Sequence, residues 1–97
     1  MDRATALDIV YQAIDVVNGL RSETEQLAKT PDLLLAGEGG ALDSLALVTL
    51  ILAVESRVST LAGAEIGLLD DSDFGEDAGG LRSPAALADL ILERLAA

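Results

Sequence analysis

The side chain best able to do chemistry in this chain is the hydroxyl of Ser44, in the tripeptide Asp43-Ser44-Leu45. A serine acts as a nucleophile when a neighbouring base, most often histidine, takes its proton. The sequence has no histidine and no cysteine, and nothing in its pattern places the one lysine, Lys29, beside Ser44. The Gly-x-Ser-x-Gly motif of hydrolases is missing as well. We therefore expect no catalytic residue and interpret Ser44 as a hydroxyl that another enzyme modifies.

Metal chemistry is also disfavoured by the residue types present. Zinc sites are usually built from histidine and cysteine, and the chain has neither. An acidic run between Asp70 and Asp77 could suggest calcium, but an EF-hand loop needs its ligands in a fixed register. Counted from Asp70, Phe74 and Leu81 fall where ligands are required. The sequence predicts a solvated acidic loop and no metal site.

A helix must present Ser44, because the residues after it are almost all apolar. We predict a helix over 44–58 with Asp43 as its N-cap, since an Asp side chain can accept a hydrogen bond from a free N–H of the first turn. The apolar residues of this helix fall into two stripes, and a domain this small can hardly enclose both. The second stripe is either covered by a neighbouring segment or presented to a partner, and we favour presentation. The first stripe is Leu47, Leu50, Ile51, Val54 and Val58; the second is Leu45, Val48 and Leu52.

Two further helices are predicted from apolar residues at helical spacing. The first covers residues 3–18, where Thr5 and Asp8 have the spacing of a capping box and Gly19 would provide a left-handed stop. The other covers residues 84–96, and we expect Leu87 and Ile91 in it, like Leu50 and Val54 in the helix after Ser44, to be buried. It should begin with Ser83 as N-cap and proline as its first helical residue.

The segments between these helices carry weaker signals. Residues 20–42 are predicted to be a long loop with a short turn near 22–28, in which some of Leu33, Leu34 and Leu35 pack inward. Residues 59–82 are predicted to be an irregular acidic segment with a short helix in 66–76. Glycines interrupt both segments, at Gly37, Gly39 and Gly40 in the first and Gly75, Gly79 and Gly80 in the second.

Composition sets the class of protein. The 97 residues fit one domain (1–97), half of them are apolar, and only two are aromatic. A core rich in leucine and alanine favours an all-α fold. The formal net charge of −11 disfavours nucleic acid and anionic membranes and favours partners with basic patches. The apolar run of Leu45–Val54 is shorter than the roughly 20 residues of a membrane span, and no signal peptide is visible, so we expect a cytoplasmic monomer.

Three features of the chain together resemble the acyl carrier protein family, over about residues 4–96. They are Leu42-Asp43-Ser44-Leu45 at the start of a long apolar helix, the glycine loop before it, and the last helix beginning at Ser83-Pro84. The resemblance implies a small helical bundle of three main helices plus a short one. It implies that Ser44 receives 4′-phosphopantetheine from coenzyme A and carries acyl or aminoacyl groups as thioesters. It also implies three kinds of partner: a phosphopantetheinyl transferase, a loading enzyme, and downstream synthases or transferases.

The chain departs from the family pattern along this helix. Where carriers of primary fatty acid synthesis usually have acidic residues, this sequence has Ala46, Thr49 and Ser56, with only Glu55 acidic. This departure indicates a specialised pathway (polyketide, nonribosomal peptide or lipid) and docking that depends more on apolar contact. The predicted partner-binding residues are Asp43, Leu45, Val48 and Leu52. The alternative is an unmodified helical adaptor that docks through Leu45, Val48 and Leu52.

Overall fold

The fold is an all-α bundle, as predicted. A computed structural model describes residues 1–35, 42–63, 66 and 82–96. Within these residues it has three α-helices, α1 (Arg3–Asn18), α2 (Ser44–Ala62) and α3 (Pro84–Ala96), and one 3-10 turn at Glu23–Glu25. Helix α1 packs against both α2 and α3 and therefore lies at the centre of the bundle.

The core is aliphatic and draws on all three helices. The four residues predicted to be buried, Leu50, Val54, Leu87 and Ile91, have no exposed surface. Two leucines of the connection between α1 and α2, Leu27 and Leu35, are buried with them, and Leu33 packs against the cluster. The rest of the buried set is Ala6, Ile9, Val10, Ala13, Ile14, Val17, Leu42, Leu47, Ile51, Val58, Ala88 and Leu90.

Helix α1 has the predicted bounds, but both of its predicted end signals are wrong. Asp2 is the N-cap: its Oδ1 accepts a hydrogen bond from the Thr5 N–H at 2.8 Å. Hydrogen bonds from the Thr5 side chain and then from its N–H hold the pKa of Asp2 below its usual value. Asp8 instead accepts from the Gln12 amide at 2.8 Å, one turn further along. At the other end Gly19 has a φ of −63°, so it is not a left-handed stop.

Helix α2 is one turn longer than predicted. It continues to Ala62, and Gly63 ends it in the left-handed conformation with a φ of 65°. The Gly63 N–H donates to the Ser59 carbonyl at 3.0 Å. The boundary at residue 58 was wrong because Ser59 and Thr60 are weak helix formers. In the structure Thr60 is accommodated by donating its hydroxyl to the Ser56 carbonyl at 3.1 Å.

The start of α3 is confirmed and is joined to the first connection. The Ser83 hydroxyl accepts a hydrogen bond from the Ala86 N–H at 3.2 Å, and Pro84 is the first helical residue. The Ala85 N–H, which has no intrahelical partner, donates to the Pro31 carbonyl at 3.0 Å. This bond holds the 20–42 connection against the start of α3.

Three predictions fall outside the described residues: the glycine loop at 37–40, the short helix within 66–76 and the acidic run at 70–77. Of these stretches only Ile66 is described, and it packs against the core. The predicted turn near 22–28 is present as the shorter Glu23–Glu25 turn.

In the part of the chain that the structure describes, α2 is the one helix long and apolar enough to cross a membrane by length and composition. The stretch is Leu45–Ala62, with a mean hydropathy of 1.7. It exceeds the run counted in the sequence because the helix continues past Val58 and includes Glu55 and Arg57. Of this stretch 28% is buried, and the buried side packs against α1.

Candidate functional site at the start of helix α2

Ser44 is the first residue of α2, and its position is set by Asp43. The Asp43 Oδ1 accepts a hydrogen bond from the Ala46 N–H at 2.8 Å, which confirms the predicted N-cap. The Asp43 carbonyl accepts the first helical bond, from the Leu47 N–H at 2.9 Å. The side chain and the carbonyl of Asp43 thus both accept hydrogen bonds from the first turn of the helix that begins at Ser44.

The residue before the cap anchors this end of the helix to the core. Leu42 is buried, and its N–H donates to the Leu35 carbonyl at 3.0 Å. Leu35 is fully buried, and its own N–H donates to the Arg82 carbonyl at 2.8 Å. The start of α2 is therefore tied through Leu35 to the segment that leads into α3.

The residues around Ser44 are open to solvent. Asp43 is exposed, Leu45 is 76% exposed, and Leu52, two turns along, is 53% exposed. Val48, the middle member of the predicted stripe, is half-buried. In the first turns of α2, near Ser44, the exposed apolar surface therefore consists chiefly of Leu45 and Leu52, with the half-buried Val48 beside them.

Neutral side chains separate these leucines on the outer side of α2. Thr49 is half-buried and donates its hydroxyl to the Leu45 carbonyl at 3.0 Å, so it is directed back along its own helix. Ala46 is half-buried and Ser56 is exposed. Between Leu45 and Leu52 the outer face of α2 thus combines apolar and neutral polar groups.

Two side-chain amides that the sequence analysis did not single out hold the loop beside this site. The Asn18 Oδ1 accepts from the Leu27 N–H at 2.7 Å, and the Asn18 Nδ2 donates to the Leu27 carbonyl at 3.2 Å. The Gln26 amide donates to the carbonyls of Asn18 (2.7 Å), Arg21 (3.3 Å) and Ser22 (3.4 Å). Residues 18–27 are closed into a compact loop, which we call the amide-locked loop. The sequence signal that could have indicated this loop is Asn18, a side-chain amide directly after the last apolar residue of α1.

Replacing Asn18 by alanine should destabilise the protein. The substitution removes both hydrogen bonds to Leu27, whose backbone groups are partly buried and would lose their partner. An unsatisfied buried polar group costs about 1–3 kcal/mol, and thermal unfolding measured by circular dichroism should show a lower midpoint. The control is Gln12→Ala, which removes only an exposed bond to Asp8 and should leave the midpoint nearly unchanged. Equal midpoints for both variants would contradict the locking role of Asn18.

A cleft of about 380 Å³ lies between the amide-locked loop and the first two turns of α2. Its loop side includes Leu20, which is 76% exposed and follows directly after Gly19. Its α2 side includes Asp43 and Leu45, the two neighbours of Ser44. Val17, Arg21 and Glu25 also line the cleft.

The sequence has neither histidine nor cysteine to act as a base toward a serine hydroxyl. Lys29, the one lysine, has its Nζ 2.8 Å from the Asp15 carboxylate on α1. In the described ranges no three acidic residues come together in a way that could hold a metal ion. The start of α2 is exposed at Asp43 and Leu45, and another protein can contact it there.

The chain matches no protein-family model, no curated protein and no solved structure. What can be inferred about function therefore depends on the residues and on the geometry described above.

Proposed function

We propose that this chain is a discrete acyl carrier protein, in which Ser44 carries 4′-phosphopantetheine and presents acyl or aminoacyl thioesters to the enzymes of a biosynthetic pathway. The observation that carries the proposal is the start of α2. Ser44 is the first residue of a helix capped by Asp43, and both of its neighbours are exposed. The sequence supplies no histidine or cysteine for chemistry of its own.

The surroundings of Ser44 fit a phosphodiester. The first N–H groups of a helix lack carbonyl partners, and the helix dipole favours negative charge there. The Asp43 carboxylate already accepts from the Ala46 N–H and opposes a phosphate by like-charge repulsion. Asp43 therefore orients the helix start, and the exposure of Leu45 keeps the approach open. When attached, the group supplies the thiol that this cysteine-free chain lacks.

Attachment requires another enzyme, a phosphopantetheinyl transferase. The Ser44 oxygen forms a bond to the phosphorus of the pantetheine phosphate in coenzyme A. The bond from that phosphorus to the leaving oxygen breaks and releases adenosine 3′,5′-bisphosphate. The hydroxyl proton must pass to a base of the transferase, since this chain has no histidine or cysteine and the Lys29 Nζ lies 2.8 Å from the Asp15 carboxylate.

The remaining partners are a loading enzyme and the synthases or transferases that accept the cargo. The exposed Leu45 and Leu52 give such enzymes an apolar contact beside Ser44. The net charge of −11 favours enzymes with basic surfaces over nucleic acid or anionic lipid. The neutral residues Ala46, Thr49 and Ser56 on this helix, where carriers of primary fatty acid synthesis usually have acidic residues, support a carrier of a specialised pathway. We expect this carrier to act as a cytoplasmic monomer.

The test of the proposal is the intact mass of the full chain after incubation with coenzyme A, magnesium and a broad-specificity phosphopantetheinyl transferase. We expect a gain equal to one 4′-phosphopantetheine group, and peptide mapping should locate it at Ser44. The alternative, an unmodified helical adaptor, is favoured by the same exposed leucines, Leu45 and Leu52. An unchanged mass after full incubation would reject the carrier and leave the adaptor.

The apolar surface of α2 should matter for cargo transfer. Leu52→Asp changes a side chain that is more than half exposed, so thermal stability should change little. Central apolar contacts typically carry more than about 1 kcal/mol each, so transfer to or from a cognate enzyme should slow by about fivefold or more. Leu52 tests this better than Val48, since Val48 is half-buried and an aspartate there would also affect packing.

The matched control for this prediction is Leu61→Asp. Leu61 is 60% exposed and lies on the same helix. At a rise of 1.5 Å per residue it is about 24 Å along the axis from Leu45. Leu61→Asp should transfer cargo at the wild-type rate. Equal slowing by both variants would show that added charge, and not the loss of Leu52, causes the effect.

A further inference from the structure

The cleft beside Ser44 has an unusual apolar wall. Leu20 on the loop side and Leu45 on the α2 side are each 76% exposed, the largest exposed fraction among the large apolar residues that the structure describes. Val17, which is buried, forms the floor between them. Isolated exposed leucines are common, but two that flank one concave site suggest a place for another apolar group.

The loop that carries Leu20 is held in place before any partner binds. Besides the Asn18 and Gln26 bonds, the Leu20 N–H donates to the Val17 carbonyl at 2.9 Å. The Arg21 Nε donates to the Glu25 carbonyl at 2.8 Å. A side chain presented on a preorganised loop costs little further ordering when it binds. Leu20 thus has the properties of a binding residue, since the fold exposes it and keeps it in position.

The cleft also adjoins the residue to be modified. Asp43 and Leu45 line it, and they are the neighbours of Ser44 on either side. An enzyme that brings Ser44 into its active site must cover these two residues. Because Leu20 lines the same cleft, the enzyme's contact surface can reach it from Leu45.

Charge indicates what kind of group fits. The rim carries two exposed carboxylates, Glu25 and Asp43, against one cation, Arg21, whose Nε donates to the Glu25 carbonyl, so the rim is acidic on balance. A second copy of this chain, also with a net charge of −11, would be repelled. An apolar side chain flanked by a lysine or arginine would satisfy both the leucine pair and the acidic rim.

We propose that this cleft is a docking subsite for the transferase that modifies Ser44, receiving an apolar side chain between Leu20 and Leu45 with a basic neighbour at Glu25. The inference rests on the proposed function. It adds a contact that lies outside α2, on the amide-locked loop, and it makes Leu20 a specificity-determining residue.

The first test compares steady-state modification of full-length Leu20→Ser and wild type by a phosphopantetheinyl transferase with coenzyme A and magnesium. We expect the KM for the protein substrate to rise at least fivefold with kcat changed less than twofold, because Leu20 contributes binding and no chemistry. Glu25→Lys should raise KM in the same direction. Leu61→Ser and Glu93→Lys, which change an exposed leucine and an exposed carboxylate elsewhere, are the controls and should match wild type.

The second test uses the absence of native cysteine. Leu20→Cys and Leu61→Cys, each labelled with a maleimide photocrosslinker, are irradiated with the transferase. Crosslinking is expected from position 20 and not from position 61. This readout reports proximity, which a merely structural effect of Leu20 would not produce.

The outcomes separate this inference from the proposed function. If wild type gains no mass, the carrier proposal fails. If wild type is modified but Leu20→Ser keeps the wild-type KM, or if position 20 does not crosslink, the docking subsite is wrong and the carrier proposal stands. If Leu20→Ser lowers both the melting temperature and the modification rate, Leu20 is a structural residue, and the docking subsite is likewise wrong.

Discussion

Ser44→Ala is expected to abolish the mass gain completely. The substitution removes the hydroxyl to which the phosphate would be attached, and no other residue can replace its oxygen at the first position of α2. Alanine is the best helix former and the cap bonds come from Asp43, so the helix should start as before. Intact mass after incubation with coenzyme A, magnesium and the transferase measures the result.

Ser56→Ala is the matched control for this experiment. Ser56 lies on the same helix and is exposed, and the hydrogen bond from the Thr60 hydroxyl goes to its backbone carbonyl, so it survives the change. This variant should gain the full adduct, and circular dichroism should show equal helix content in both. An adduct on the Ser44→Ala protein would mean that another residue is the attachment site.

Leu50→Ala is expected to cause the largest loss of stability among single substitutions proposed for this chain. Leu50 lies in the middle of α2, on the side that forms the core, and has no exposed surface. Truncating a buried leucine removes its burial and leaves a cavity, which costs about 2–4 kcal/mol in a site that collapses partly. Urea unfolding should show a lower midpoint with an unchanged slope.

The control is Leu61→Ala on the same helix, where the side chain is 60% exposed. It should change the free energy of unfolding by less than about 0.5 kcal/mol. If Leu50→Ala cost no more than Leu61→Ala, the interior of the bundle would be assigned wrongly. Modification of Ser44 should persist in the folded fraction of Leu50→Ala, because that residue does not line the cleft.

Much of the local structure could be predicted from the sequence. Asp43 and the pair Ser83-Pro84 were predicted to begin helices, and the hydrogen bonds of both caps are present. The burial of Leu50 and Ile91 followed from apolar residues at helical spacing. These features depend on groups within one or two turns of each other, so the sequence alone contains the necessary information.

Other local signals were ambiguous because competing residues offered the same chemistry. Thr5 and Asp8 have the spacing of a capping box, yet Asp2 lies closer to the first turn and accepts the Thr5 N–H. Gly19 could have been a left-handed stop, yet its backbone is right-handed. The turn after it is held instead by hydrogen bonds between the backbone and the side chains of Asn18 and Gln26. A pattern cannot rank such alternatives, since their energies differ by about 1 kcal/mol or less.

For the candidate site, the sequence by itself determined that Ser44 begins a capped apolar helix and that the chain has no histidine or cysteine to activate it. Only the tertiary structure decided which apolar residues stay exposed. Leu45 and Leu52 remain exposed while Val48 is half-buried, and Leu20 lies across a cleft from Leu45. The physical reason is that exposure depends on which neighbour packs against each side of a helix. That is set by contacts between residues far apart in the chain, which a local pattern does not contain.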